Sequence, residues 1–159
     1  MPYQLDRHVP YLIARLAALV REVIAPVLTD YDITLPMWRV LGSLAEKKEQ
    51  TVGDLLLATS LEQSTLSRTL SALENRGLIA KKINLDDGRT ISIALVARGR
   101  ALTQRLQPHW DDAHTSLVSG VSKRDLETFI RVVDQLYRNA SVAIDTPTAR
   151  MRLRATARQ

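Results

Sequence analysis

Residues 61–79 read LEQSTLSRTLSALENRGLI, and the architecture can be built outward from them. At about 100° per residue, Leu66, Leu70 and Leu73 gather in one narrow sector of a helix, the side to be buried. Ser64, Ser67, Arg68, Ser71 and Asn75 gather in another, with Glu74 only at its edge. That second sector offers short hydroxyls and one guanidinium. Such a face can enter a major groove about 12 Å wide without steric or charge conflict. Serine and threonine hydroxyls bond phosphates or base edges, and Arg68 can take guanine O6 and N7 together or grip a phosphate. The plain alternative is an ordinary solvated face. Gly77 is a suitable residue to end the helix.

The neighbours on either side favour the first reading. Upstream, Thr51-Val-Gly-Asp54 reads as a capping box with Asp in the place of Glu. It opens a short helix bearing Val52, Leu55 and Leu56, which Thr59-Ser60-Leu61 breaks. A short helix, a tight turn and a helix with an exposed polar face have the layout of a helix-turn-helix. Downstream the period changes to two. Leu78 to Ile83 is compatible with a strand, and Ile91, Ile93 and Leu95 alternate with Ser92 and Ala94. Between them Asn84-Leu-Asp-Asp-Gly-Arg89 has the Asp-Gly chemistry of a hairpin turn. A hairpin so placed is a wing. Arg89 at its tip can insert into a narrow, A·T-rich minor groove, and Asp87 can hold that guanidinium by a charge-assisted hydrogen bond.

Further out, Leu12, Leu16, Leu19, Val20, Val23 and Val27 recur at spacings of three and four, which predicts a helix over about 8–28. Pro26 is expected to kink its last turn. Thr34 caps a second helix with Pro36 in its first turn, and Trp38, Leu41 and Leu44 form its buried side. After Gly99 the helical period returns to about Ala143, with a bend expected at Pro108 and a new cap at Ser122.

Composition sets limits. Apolar residues are 45% of the 159 and aromatic ones only 4%, so helix packing is favoured over a β-sandwich. There is no cysteine, which excludes disulfides, thiolate metal sites and cysteine redox switches. No apolar run approaches the roughly 20 residues of a membrane span, and residues 1–7 lack the apolar core of a secretory signal. A cytoplasmic protein with no membrane partner is expected. The net charge of +5 suits a polyanionic partner.

Three blocks, Leu61 to Arg68, Leu73-Glu-Asn-Arg-Gly-Leu-Ile79 and Asp87-Gly-Arg89, resemble successive signatures of the MarR (multiple antibiotic resistance regulator) family, in its order and spacing. Thr34-Leu-Pro-Met-Trp38 with Val40-Leu41 is similar to the start of that family's second helix. The resemblance covers roughly Leu12 to Tyr137. It implies a mainly α fold: a winged helix-turn-helix with a small β-hairpin wing and a helical dimerisation region built from N- and C-terminal helices. One domain is expected over 1–146, its DNA-binding part about 34–98 and its dimerisation helices about 8–29 and 99–143.

The resemblance further implies a ligand-responsive repressor that binds double-stranded DNA as a homodimer, two recognition helices meeting successive major grooves of a pseudo-palindromic operator. Ser64, Thr65, Ser67 and Arg68 match groove-reading positions, Arg76 a position near phosphate, and Asp87 with Arg89 the wing pair. Thr51, Gln63 and Ser71 complete the candidate DNA-binding set. No cofactor is implied. A small aromatic or anionic effector is, with His8, Arg15, Trp38 and Arg39 as candidate contacts; Trp38 read plainly is a core residue. Where the family usually has Leu-Thr before the helix after the wing, this chain has Leu95-Val96. A lost capping threonine costs about 1 kcal/mol there.

The same residues admit other readings. A winged helix can serve protein contact or non-specific architectural DNA binding. A metal-dependent enzyme is disfavoured: His109 and His114, five residues apart, point about 140° apart on a helix and cannot share one ion. The tail at 147–159, with Arg150-Met-Arg-Leu-Arg154 and Arg158, reads as a solvated end or as an extra phosphate-contacting arm.

Overall fold

The computed structural model describes residues 4–83 and 91–145. The wing tip, with Asp87 and Arg89, and the arginine-rich tail lie outside them. After a short 3-10 turn at Leu5–Arg7 come α1 (Val9–Asp30), α2 (Leu35–Glu46), β1 (Glu49–Thr51), α3 (Val52–Thr59) and α4 (Gln63–Asn75). Then follow β2 (Ile79–Ile83), β3 (Ile91–Leu95), α5 (Ala97–Leu117) and α6 (Lys123–Asp145). The expected class is met: mainly helical, with a small antiparallel sheet. The chain divides into two compact units, Met1–His114 and Thr115–Gln159.

Local chemistry explains the boundaries. Thr34 caps α2, its Oγ1 accepting from the Met37 N–H at 3.3 Å. Ser122 does the same for α6, accepting from Asp125 N–H at 3.1 Å. Helix α1 continues through Pro26 to Asp30. It ends in a tight reversal where Ile33 N–H reaches back to the Leu28 carbonyl at 2.8 Å and Asp32 takes φ +52°. Helix α4 ends by the same device: Leu78 N–H donates to the Leu73 carbonyl at 3.0 Å, with Gly77 at φ +62°. Only a residue without a Cβ takes that conformation freely. Helix α5 likewise runs through Pro108 to Leu117.

The core of the first unit is aliphatic. Leu41, Leu44, Leu55, Leu66, Leu73, Ile93 and Leu106 are fully buried, bringing α2, α3, α4, β3 and α5 onto one centre. Each such side chain contributes about 1.5–3 kcal/mol relative to exposure. The sheet order is β1-β3-β2, all antiparallel. Strand β1 was not expected from sequence. Its register sets Gln50 opposite Ile93, and Gln50, only 4% exposed, donates from Nε2 to the Ser43 carbonyl at 2.6 Å. A buried amide thus fastens the third strand to α2. In the second unit α6 is amphipathic but carries its apolar residues in the open: Phe129, Ile130, Val133 and Tyr137 are all exposed.

Candidate nucleic-acid interface

Helices α3 and α4 are joined by the turn Ser60-Leu61-Glu62, in which Ser60 takes φ +52°. The start of α3 is fixed by a capping box. Thr51 Oγ1 accepts from Asp54 N–H at 3.1 Å, and Asp54 Oδ2 accepts from Thr51 N–H at 2.9 Å and from the Thr51 hydroxyl at 2.7 Å. The hydroxyl contact first, then the main-chain N–H, hold the Asp54 carboxyl below its ordinary value; Lys47 adds a smaller favourable charge. Thr51 therefore has its hydroxyl engaged within the chain.

Helix α4 is seated by Leu66, Leu70 and Leu73, joined by Thr69, which is also buried. Thr69 tolerates that place because its hydroxyl donates to the Thr65 carbonyl at 2.8 Å. Gln63, Ser64, Ser67, Arg68, Ser71 and Asn75 are exposed, and Thr65 is half-buried at the edge. Ser71 Oγ donates to the Ser67 carbonyl at 3.1 Å, leaving its lone pairs outward as acceptors. Arg68 Nε lies 3.4 Å from the Ser64 carbonyl. Among the described residues no carboxylate pairs with Arg68. Glu74, the one acid beside this face, is held by Lys81 at 2.6 Å. The face is therefore cationic at one point and elsewhere neutral and hydrogen-bonding.

Arg76 is turned another way. Its guanidinium donates to the main-chain carbonyls of Asp32 and, at 3.4 Å, Tyr31, lies 3.8 Å from Met37 Sδ, and pairs with the Asp32 carboxylate at 3.5 Å. It ties the end of α4 to the turn between α1 and α2.

Of the effector candidates, His8, just before α1, and Arg15, on it, are exposed, and Arg39 is exposed on α2. Trp38 is half-buried and stacks on Trp110 of α5, ring centroids 4.8 Å apart and planes 9° from parallel. Beside this pair, Tyr31 OH lies 3.3 Å from His109 Nε2, and Arg105 sits 5.2 Å above the Tyr31 ring. Trp110, Tyr31 and Arg105 were missed in the sequence. Trp38 and Trp110 are 72 positions apart, and no local period links them. His109 finds its contact in Tyr31, and among the described residues no group of three metal-ligating side chains comes together. No described helix is long and apolar enough to cross a membrane.

Known proteins share this fold. A family model described as transcriptional regulator SarA/Rot matches residues 22–106. A MarR family transcriptional regulator from Silicibacter pomeroyi is 30% identical, with a TM-score of 0.76 over 88% of this chain and 97% of its own. An HTH-type transcriptional repressor of Mycobacterium tuberculosis is 25% identical over 131 residues, 82% of this chain and 94% of the relative. The fold is also that of BpsR from Bordetella bronchiseptica, 21% identical, TM-score 0.78 over 86% of this chain and 98% of that one. The BpsR structure is described as a mechanism for regulation of its DNA binding by 6-hydroxynicotinic acid.

Proposed function

Because this chain belongs to the MarR/SarA family of transcriptional regulators, we propose that it is a ligand-responsive repressor that grips a pseudo-palindromic operator as a homodimer. The observation that carries this reading is the outer face of α4. Ser64, Ser67, Arg68, Ser71 and Asn75 stand together in solvent while the opposite side is locked into the core. In this reading α4 lies in the major groove, with Arg68 and the serines at base edges and phosphates. Gln63 and Thr65 flank them, Thr51 positions the head of α3, and Arg76 holds the seat of α4. Asp87 and Arg89 form the wing pair in the minor groove.

The proposed dimer rests on exposed apolar surface. Leu12, Ile13, Leu16, Leu19 and Val23 are exposed on α1, as are the α6 residues named above. Faces of this kind mark interaction surfaces. The DNA-binding part is then about 34–98, and the helices at about 8–29 and 99–143 pair the subunits.

An effector with an aromatic ring and an acid group is the proposed ligand. The Trp38–Trp110 pair offers ring faces, Arg105 with the candidates Arg15 and Arg39 offers positive charge, and His109 with the candidate His8 offers hydrogen-bonding ring nitrogens.

A gel-shift titration against the chain's own upstream DNA tests the reading. The expected result is tight, salt-sensitive binding of a dimer to one imperfect inverted repeat with half-sites about 10 bp apart. Equal affinity for scrambled duplex, or a monomer in sedimentation, overturns it. Release of that complex by 6-hydroxynicotinate would support the effector proposal.

A further inference from the structure

A cleft of about 940 Å³ lies where the end of α2, the root of the hairpin and the start of α5 meet, wholly within the first unit. None of the effector candidates His8, Arg15, Trp38 and Arg39 lines it. Its existence follows from small residues. Ala80 and Ala94 are cross-strand partners in β2 and β3, and Ala45 and Ala97 stand in the facing helices. Four methyl groups line space that larger side chains would fill. The volume is within the range of small-molecule sites.

The chemistry of the walls is divided. Leu44, Leu95 and Val96 join the alanines in an apolar surface that is aliphatic throughout, with no aromatic ring among its lining residues. Three cations, Lys48, Lys82 and Arg100, stand at it against one acid, Glu49. Lys82 is 3.6 Å from Glu49, and both are more than half exposed, so that pair is weak. Lys48 makes no ion pair among the described residues. Among the described residues Arg100 is steadied by one bond, Nη1 to the Leu95 carbonyl at 2.6 Å, which leaves further N–H groups for an acceptor. Thr103, Gln104 and Gln107 add neutral polar groups.

We propose that this cleft binds a small amphipathic carboxylate: an acid group held by Lys48 and Arg100, and a flexible aliphatic body lying on the alanine-lined wall. Charge complementarity selects the anion, and the lack of ring faces selects an aliphatic rather than an aromatic body. The site does not depend on the DNA-binding reading, because occupancy is measured on the protein alone.

The test uses the full chain and octanoate as probe, with 1-octanol and inorganic phosphate as controls, followed by amide and methyl NMR. Octanoate is expected to give saturable shifts at Ala80, Ala94 and Thr103, with octanol and phosphate each about tenfold weaker or more. Ala45→Leu, on α2, and Lys48→Gln, in the bend that follows it, are both at exposed positions and are each expected to weaken octanoate about tenfold, the first by filling space and the second by removing charge. The proposal is overturned by shifts confined to Trp38 and Trp110. It is equally overturned by octanol binding as tightly, by phosphate binding as tightly (a site for a bare phosphate or nucleic-acid backbone), or by unchanged affinity in both variants.

Discussion

Arg76, the residue that follows α4, reaches 44 positions back along the chain to donate to the main-chain carbonyl of Asp32 and lie 3.5 Å from its carboxylate. The two partners differ in surroundings: the Arg76 side chain is 29% exposed and that of Asp32 95%. An ion pair so open at one end is screened and contributes little. The guanidinium also donates to the exposed Asp32 carbonyl and to the part-buried Tyr31 carbonyl, and these charge-assisted bonds carry more of the attachment than the ion pair. They tie the end of α4 to the turn between α1 and α2.

Arg76→Gln is therefore expected to destabilise the fold by about 1.5–3 kcal/mol, the range for hydrogen bonds to a charged group. Asp32→Asn, which keeps the left-handed turn, is expected to cost under about 1 kcal/mol. Urea denaturation of the two variants checks this. The salt dependence of operator binding gives a separate readout. A phosphate contact at Arg76 would lower the slope by about one unit; an anchoring role leaves the slope unchanged, and that is the expected outcome.

The Asp54 carboxyl gives a pH dependence with a definite sign. Its folded value lies below the ordinary 3.8, so the unfolded chain binds the proton more readily. The stabilisation is fully present above the unfolded value and is lost as pH falls through the folded one. Stability attributable to this cap should stay flat from neutrality to about pH 5 and decline in stronger acid. Asp54→Asn should remove that component of the acid profile. Urea melts of both proteins from about pH 7 to about pH 2.5 compare them; parallel profiles throughout would contradict the assignment.

Helix α5 packs against the chain at Gly99 with no room to spare. A Cβ built there would meet the Leu78 carbonyl oxygen at 2.0 Å, and Leu78 also accepts from Val96 N–H at 3.2 Å. The obstacle is main chain at the junction of α4 and β2, which cannot rotate away as a side chain would. Gly99→Ala should cost about 3 kcal/mol or more, at the upper end for overpacking, despite alanine's better helix propensity. A melting temperature equal to that of the parent would show that α5 sits further from Leu78.

These attachments separate what the sequence made legible from what it did not. The capping box at Thr51 and Asp54, the break at Ser60, the leucine stripe of α4 and the alternation of β3 are local signals, and each was read in place. Strand β1 escaped because three residues cannot display a period, and its one buried side chain, Gln50, looks like a surface residue until Ser43 is seen beside it. The Trp38–Trp110 stack, the Arg76 anchor and the alanine-lined cleft join positions far apart in sequence. They arise from how elements pack, which no single stretch encodes. On α4 itself the polar sector was legible, but the pairing of Glu74 with Lys81 across two elements was not.

Arg68 is the side chain on which the groove reading is most exposed to test. It stands in solvent on α4, without a carboxylate partner among the described residues, and its nearest tie is a long contact to the Ser64 carbonyl. Its removal should leave the fold intact, since surface changes of this kind stay within about 0.5 kcal/mol. Arg68→Ala is expected to weaken operator binding by about 1–3 kcal/mol while affecting scrambled duplex less, if the guanidinium reads a base edge. Arg68→Lys separates base from phosphate contact. A lysine keeps the charge but cannot offer the planar pair of donors, so affinity for scrambled DNA should recover while preference for the operator does not. Full recovery of both by lysine would assign Arg68 to a phosphate, and an unchanged operator affinity in Arg68→Ala would remove α4 from the groove.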